Sequence, residues 1–498
     1  MKGKVYLIGA GPGDPELLTL KGKRILETAD VVIYDYLSNP SLLSLARKDA
    51  KLIAADFRGK RFSDGSIMNQ TLLNKMIVDY AKKSNVVARL KGGDPSIFGR
   101  GGEEAEVLVA NKIAYEVVPG VTAASGLAYA GFPLTHRKYS SSVSFITGHE
   151  DPGKPGSSVD WANISRTGTL VFYMGIENLP KIVEKLIDAG RLRSTPAALI
   201  EWVTRGAQRE VYGTLSDIVK KAKAAKVKAP ALIVVGEVIN LHNKLNWRKK
   251  LPLAGQTIVV TRSRDQASRL SEKLSALGAE AIEFPTIEIV PPKSFKPLDT
   301  AIARFKDYQY IIFTSRNGVR SFIDRLMVKK IDARALCCEK IAAIGPGTAQ
   351  ELKVNGLLAD FQANCDYSQE GLLKELLREK LSGANILIPR AEKAREVLTH
   401  RLRAAGARVL VVPAYRAIKP SVKFNPFAGR VDAITFTSSS TVSNFVEIFG
   451  AKKAKQLLQG VKIVSIGRIT SATARKFGLK VAVEAKRSTI DGLVKAIL

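Results

Sequence analysis

Val5-Tyr6-Leu7-Ile8-Gly9-Ala10-Gly11-Pro12-Gly13-Asp14 is the stretch that decides the fold. A short apolar, β-branched run passes straight into a glycine-rich loop, as when a first β-strand delivers the backbone close to a ligand. A dinucleotide fold does not fit it. The fingerprint G-x-G-x-x-G would need glycine at position 14, which is Asp14, and Pro12 stiffens the turn.

Similar apolar runs return at residues 31–34, 86–90, 170–173 and 232–235, alternating with helical patterns, so the chain reads as α/β. Residues 240–253 interrupt this rhythm, with Lys244, Arg248, Lys249 and Lys250 ahead of Pro252 and a fresh strand from Thr257. The main boundary is expected there, dividing residues 1–245 from 254–498 with 246–253 as linker. Softer breaks at Pro119-Gly120 and in the polar loop 152–158 split the first part into lobes of about 1–118 and 119–245.

At 498 residues the chain should hold three or four domains, at roughly 100–200 residues each. No apolar run approaches the ~20 residues that span a bilayer, so no membrane association is expected. The opening residues lack the small-residue cleavage site of a secretory signal. Cys337, Cys338 and Cys365 make no disulfide framework or C-x-x-C pair, which suits a reducing cytoplasm. His136, His149, His242 and His400 are scattered singly, so no metal is expected. The 77 Lys and Arg against 46 Asp and Glu leave +31, which favours an anionic partner such as a polycarboxylate or nucleic acid. Dispersed basic residues and few aromatics argue against nucleic acid.

Beyond residue 252 the sequence repeats. Phe313-Thr314-Ser315 with Val319 returns as Phe436-Thr437-Ser438 with Val442, and Ile344-Gly345 with Thr348 returns as Ile466-Gly467 with Thr470. Ile258, Thr261-Arg262 and Phe284-Pro285 reappear as Ile386, Pro389-Arg390 and Val412-Pro413. Two related lobes should follow, with ligand contacts at the carboxyl ends of parallel strands in the cleft between them.

A second glycine turn in the first half, Arg89-Leu90-Lys91-Gly92-Gly93-Asp94-Pro95, is followed closely by Phe98-Gly99-Arg100-Gly101-Gly102-Glu103-Glu104. With Gly9 to Asp14, Tyr34-Asp35, Gly59-Lys60-Arg61, Val118-Pro119-Gly120, Thr122-Ala123-Ala124, Pro133 to Arg137, Thr147-Gly148-His149 and Phe172-Tyr173-Met174-Gly175, these motifs resemble uroporphyrinogen-III C-methyltransferase across residues 2–247. The resemblance implies a tetrapyrrole-methylase fold of two α/β lobes with S-adenosyl-L-methionine between them. It places Pro12, Gly92, Gly93, Asp94, Ile97, Thr122, Ala123, Met174, Val203 and Ala231 at the cofactor. Met174 would offer a polarizable wall near the sulfonium, or else simply pack in the core. Asp35 is the implied base and Lys60 the implied acid, with a surface ion pair or a strand cap as the alternative, and Arg100 and Glu103 are implied to handle substrate. Two departures stand out. A histidine expected after Lys60-Arg61 is missing from Phe62-Ser63-Asp64-Gly65-Ser66, and Glu201-Trp202-Val203-Thr204 carries Val203 where the family has a cofactor-side glycine.

The repeated half shows no catalytic triad, metal set or phosphate loop. Its candidates are strand-end hydroxyls, Thr314, Ser315, Thr348, Thr437, Ser438 and Thr470, with Arg262, Arg390 and Arg416 at comparable turns; helix capping is the competing role for the hydroxyls. Phe313 to Val319, Ile344 to Ala349, Val412 to Arg416 and Phe436 to Ser438 resemble uroporphyrinogen-III synthase over residues 254–498. That resemblance implies two flavodoxin-like lobes, about 254–287 plus 418–498 and about 288–417, joined by a two-stranded connector. Hydroxymethylbilane would be the substrate, and Tyr415 would assist loss of its hydroxyl or else be a packing residue.

Together the resemblances imply a bifunctional enzyme that makes uroporphyrinogen III and methylates it twice to precorrin-2, for sirohaem or cobalamin. A homodimer through the first half is implied. The competing reading is a later corrin-ring methyltransferase with a non-catalytic, tetrapyrrole-binding second half.

Overall fold

The computed structural model describes residues 3–55, 69–83, 85–149, 159–261, 264–336, 340–363, 367–420, 424–427 and 429–498. Lys60, Arg262, the three cysteines and residues 62–66 lie outside the described residues. Among the described residues no helix is long and apolar enough to cross a membrane.

Four sheets organise the described residues. The first is fully parallel, in the order Lys51–Ala55, Val31–Asp35, Val87–Lys91, Lys4–Gly9, Ala114–Val118. Strand residues point alternately to its two faces, so both must be covered. Val5, Leu7, Ile33 and Val87 meet Leu73, Ile77 and Ala81 of the helix Gln70–Lys82, while Ile8, Val32 and Leu90 meet Ile25 and Leu26 of the helix Leu20–Leu26. Each such large aliphatic side chain contributes roughly 1.5–3 kcal/mol by leaving water.

The second sheet is mixed. Its order is Val143–Thr147, Thr169–Tyr173, Ala231–Val235, Pro196–Glu201, Arg209–Thr214, and only the first pair is parallel.

The third sheet runs Glu280–Glu283, Thr257–Val260, Ala433–Phe436, Lys462–Ser465, Val481–Glu484 and is parallel throughout. Five strands of the fourth sheet reproduce that order as Arg408–Ile418, Asn385–Ala391, Tyr310–Phe313, Lys340–Ala343, Phe361–Gln362. Residues related by the sequence repeat therefore occupy equivalent strands, with the chain entering the two sheets at different points. The sixth strand, Glu288–Val290, pairs antiparallel with the end of Arg408–Ile418, Glu288 opposite Ile418. These two strands carry the chain out of the third sheet and back.

Residues 246–253 are partly buried. Asn246, Arg248 and Leu253 are buried, and Arg248 donates from Nη2 to the Arg205 carbonyl at 2.9 Å.

Candidate functional site

Loops following three adjacent strands of the first sheet converge at its carboxyl edge. Gly11 and Gly93 exchange backbone hydrogen bonds in both directions, at 3.2 and 2.8 Å. Gly93 has φ +69°, and a Cβ placed there would find no atom nearer than 3.9 Å, so conformation demands glycine while the space beside it stays open. Gly120 is needed for the opposite reason: a Cβ would lie 2.4 Å from the Gly93 carbonyl oxygen. Asp94 joins these loops, accepting from the Gly120 N–H through Oδ2 at 2.8 Å and from the Ser96 N–H through Oδ1 at 2.7 Å. Both oxygens are thus engaged by backbone. Any contact from Asp94 to a cofactor falls to the remaining lone pairs.

Tyr173, at the end of a strand of the second sheet, ties that sheet to these loops. Its Oη lies 2.7 Å from Thr122 Oγ1 and accepts from the Ala124 N–H at 3.1 Å. The ring packs against Phe98 and Phe145, with centroids 5.0 and 5.9 Å away. Burial pushes the Tyr173 hydroxyl up from its ordinary pKa, opposed by the Thr122 and Ala124 contacts. The next residue, Met174, has φ +56° and is 55% exposed, so its side chain is not part of the core. Pro12, Gly92, Ile97, Ala123 and Ala231 are half-buried, and Thr122 and Val203 are buried.

Candidates in the repeated half divide between joined and separate. Ser315 caps the helix Arg316–Val328, accepting from the Gly318 N–H at 3.0 Å, and its Oγ is also 2.9 Å from Tyr415 Oη. Burial raises the pKa of Tyr415, with the Ser315 hydrogen bond acting against it. Ser438 forms a capping box with Thr441 on the helix Ser439–Phe449. Thr348 and Thr470 are buried at matching places in the helices Pro346–Val354 and Arg468–Lys476, while Thr314 and Thr437 are half-buried. Among the described residues no hydrogen bond links the hydroxyls of one lobe to those of the other. Arg390 has partners close to its own strand. It is 5% exposed, ion-paired with Glu396 and donates to the Arg395 carbonyl at 2.8 Å, so its guanidinium organises the turn after its own strand. Arg416 bonds the Pro291 carbonyl at 3.0 Å and so braces the two connecting strands.

Residues 4–219 match the family model of tetrapyrrole (corrin/porphyrin) methylases, and residues 268–495 match that of uroporphyrinogen-III synthase HemD. A porphyrin biosynthesis protein HemD from Ruminiclostridium josui is 37% identical over 502 residues, spanning 100% of this chain and 98% of the relative. The chain belongs to the tetrapyrrole methylases and, past its midpoint, to the uroporphyrinogen-III synthases. Its methylase half is 49% identical over 249 residues to an S-adenosyl-L-methionine-dependent uroporphyrinogen III methyltransferase from Methanosarcina barkeri, covering 50% of this chain and 96% of that one. A crystal structure of uroporphyrin-III C-methyl transferase from Thermus thermophilus with S-adenyl homocysteine is 36% identical, with a TM-score of 0.41, covering 48% of this chain and 99% of that one.

In the methylase half, Asp35 is the outer end of a buried charge cluster that the sequence did not reveal. Its Oδ1 accepts from Arg89 Nη2 at 2.5 Å, and Glu104 Oε1 accepts from Arg89 Nε at 3.2 Å and Lys91 Nζ at 2.8 Å. Arg89, Lys91 and Glu104 are each at most 2% exposed. Burial would lower the Arg89 pKa, but Asp35 and Glu104 outweigh it and the value is raised. At Lys91 burial wins, reinforced by Arg89, and the pKa falls. The available signal was two cations spaced i, i+2 in an apolar strand; in a parallel sheet covered on both faces they need buried partners. Arg100 and Glu103 instead form an exposed pair, 2.5 Å apart, at the start of the helix Gly101–Ala110.

The Val203 departure also has a local explanation. Trp202 and Thr204 adopt φ +47° and +67°, whereas Val203 does not have a positive φ. The family's glycine is replaced at a position that a β-branched residue can occupy, and Val203 packs over Gly126 beside Pro12.

Proposed function

We propose that this chain closes hydroxymethylbilane to uroporphyrinogen III, with inversion of the last ring, and then methylates the product at C2 and C7 to give precorrin-2. The observation that carries this reading is that both family matches lie in one chain whose full length one relative spans.

S-adenosyl-L-methionine, when bound, supplies a methyl group activated by its sulfonium charge. The open space beside Gly93, the backbone of Gly92 and Ala123, and the exposed Met174 side chain suit such a ligand. Orientation is this half's main contribution, because an in-line displacement depends on the alignment of the reacting atoms. Tyr173 sets the spacing between the two walls by holding Thr122 and Ala124. Asp35 takes a proton from the alkylated macrocycle, while Arg89 anchors its carboxylate. Lys60 supplies the acid, and Arg100 and Glu103 meet the substrate's charged periphery.

In the synthase half, Tyr415 donates its proton toward the departing hydroxyl, oriented by Ser315. Thr314, Thr348, Thr437, Ser438 and Thr470 line the path that holds the linear tetrapyrrole in a closing conformation. The enzyme works in the cytoplasm as a homodimer joined through its methylase half, without a metal.

The test supplies hydroxymethylbilane and labelled S-adenosyl-L-methionine without oxygen, resolves the macrocycle isomers and counts methyl groups. Type III macrocycle with two methyls is expected. Type I macrocycle alone sinks the synthase assignment, and unmethylated type III sinks the methylation step.

A further inference from the structure

The methylase loop at residues 202–206 is held from outside its own half. Glu280, at the start of an edge strand of the third sheet, has a side chain only 6% exposed. Its Oε1 accepts from Arg205 Nε at 2.7 Å and from Asn39 Nδ2 at 3.0 Å, and its Oε2 accepts from the Gly206 N–H at 2.7 Å. Asn39, itself 2% exposed, also donates to the Gly13 carbonyl at 2.7 Å. One synthase carboxylate therefore reaches both the 202–206 loop and, through Asn39, the glycine loop after the first strand.

The contact is built closely. A Cβ at Gly206 would lie 2.5 Å from Thr257 Oγ1 and 2.9 Å from Glu280 Cβ, so only glycine lets the methylase backbone approach the third sheet this far. The held loop carries strain that must be over-determined, because Trp202 and Thr204 are both left-handed without being glycine. Thr204 passes the constraint on, its Oγ1 accepting from the Asp14 N–H at 2.9 Å. Pro12 and Val203, the two residues of this region assigned to the cofactor, stand beside these anchor points.

We infer that Glu280 is a positioning residue for the methylase reaction: the synthase half holds the 202–206 loop and the Gly13 turn in the shape that binds S-adenosyl-L-methionine. This rests on the cofactor site proposed above. The synthase half thereby completes the methylase cofactor site, and fusion serves a structural purpose beyond keeping two activities together.

Full-length Glu280→Ala and Glu280→Gln are compared with the unaltered chain for S-adenosylhomocysteine affinity by calorimetry, KM and kcat of methyl transfer, and rate of type III macrocycle formation. In Glu280→Ala, affinity should fall and KM for S-adenosyl-L-methionine rise on the order of tenfold with kcat little changed, the signature of lost binding. Glu280→Gln keeps an acceptor for the Gly206 N–H and should recover most of this, leaving a change of about threefold. Synthase rate should stay at the unaltered level in both. Unchanged affinity and KM in Glu280→Ala overturn the inference, and a parallel collapse of both activities does so by making Glu280 a general structural residue. An unaltered chain that binds no S-adenosylhomocysteine removes the cofactor reading and this inference together.

Discussion

In the methylase half the ions Arg89, Lys91 and Glu104 are each at most 2% exposed and are paired with one another and with Asp35. In the synthase half, hydroxyls take comparable places: Thr261 Oγ1 donates to the Thr435 carbonyl at 2.7 Å, and Thr286 Oγ1 to the Thr261 carbonyl at 3.1 Å. A buried ion depends on its counter-ion, so removing one member strands the others. A buried hydroxyl satisfied by the backbone stands alone, and its loss costs one hydrogen bond. The two halves should therefore differ in how they fail, the first sharply and the second by degrees.

Glu104→Ala is the strongest challenge to that contrast, because it leaves Arg89 and Lys91 buried without their shared partner. Destabilisation of about 3–5 kcal/mol is expected. Trp161 and Trp202 lie in the first half, and Trp247 in the linker packs on Tyr129 of that half, so tryptophan fluorescence during denaturant unfolding follows chiefly the first half. A loss below about 1 kcal/mol would mean the ions are not mutually dependent.

Asp94→Ala should come next. With the Gly120 and Ser96 N–H groups released, kcat/KM for methyl transfer should drop by about a hundredfold while type III macrocycle forms at the normal rate. Full methylation activity would show that the loops keep their shape without the carboxylate.

Tyr415→Phe tests the graded behaviour of the other half. Ser315 keeps its bond to the Gly318 N–H, so the helix cap survives and type III formation should slow by about tenfold, with methylation of supplied uroporphyrinogen III unaffected. An unchanged rate would leave Tyr415 as packing alone.

The smallest effect concerns a half-open ion pair. Hydrogen bonds from Arg325 and then Lys329 hold the Asp299 carboxyl at a pKa of about 2, below its ordinary 3.8. A depressed folded-state value means this contribution is complete above pH 3.8 and disappears as pH falls toward about 2. Asp299→Asn should lower stability near neutrality, where the contribution is complete, and flatten the acid arm of the profile so that the variant and the unaltered chain converge as pH falls toward about 2. Thermal melts between pH 2 and 5 would show this, and an acid arm of unchanged slope would contradict it.

Legibility followed the range of the interactions. The first strand and its glycine loop, the second glycine turn and the internal repeat were readable because strand periodicity and turn chemistry are written in neighbouring residues. The repeat places Tyr310–Phe313 and Ala433–Phe436 at the centres of equivalent sheets, each followed by a serine-capped helix. The partner of Arg390 was not legible, because an arginine at a strand end looks the same whether it faces a ligand or Glu396 six residues on. Tyr173 stood in a quoted motif, but its hydroxyl meets Thr122 from 51 residues away.

By itself the sequence determined the α/β class, the family of each half and the glycines that let loops approach one another. These depend on local pattern and backbone conformation, which short stretches encode. Only the tertiary structure decided which charges are buried, that Asp94 binds backbone, and that Glu280 reaches Gly206 across 74 residues. Those outcomes depend on which groups lose water together, and that is set by how the sheets pack rather than by any residue's neighbours in the chain.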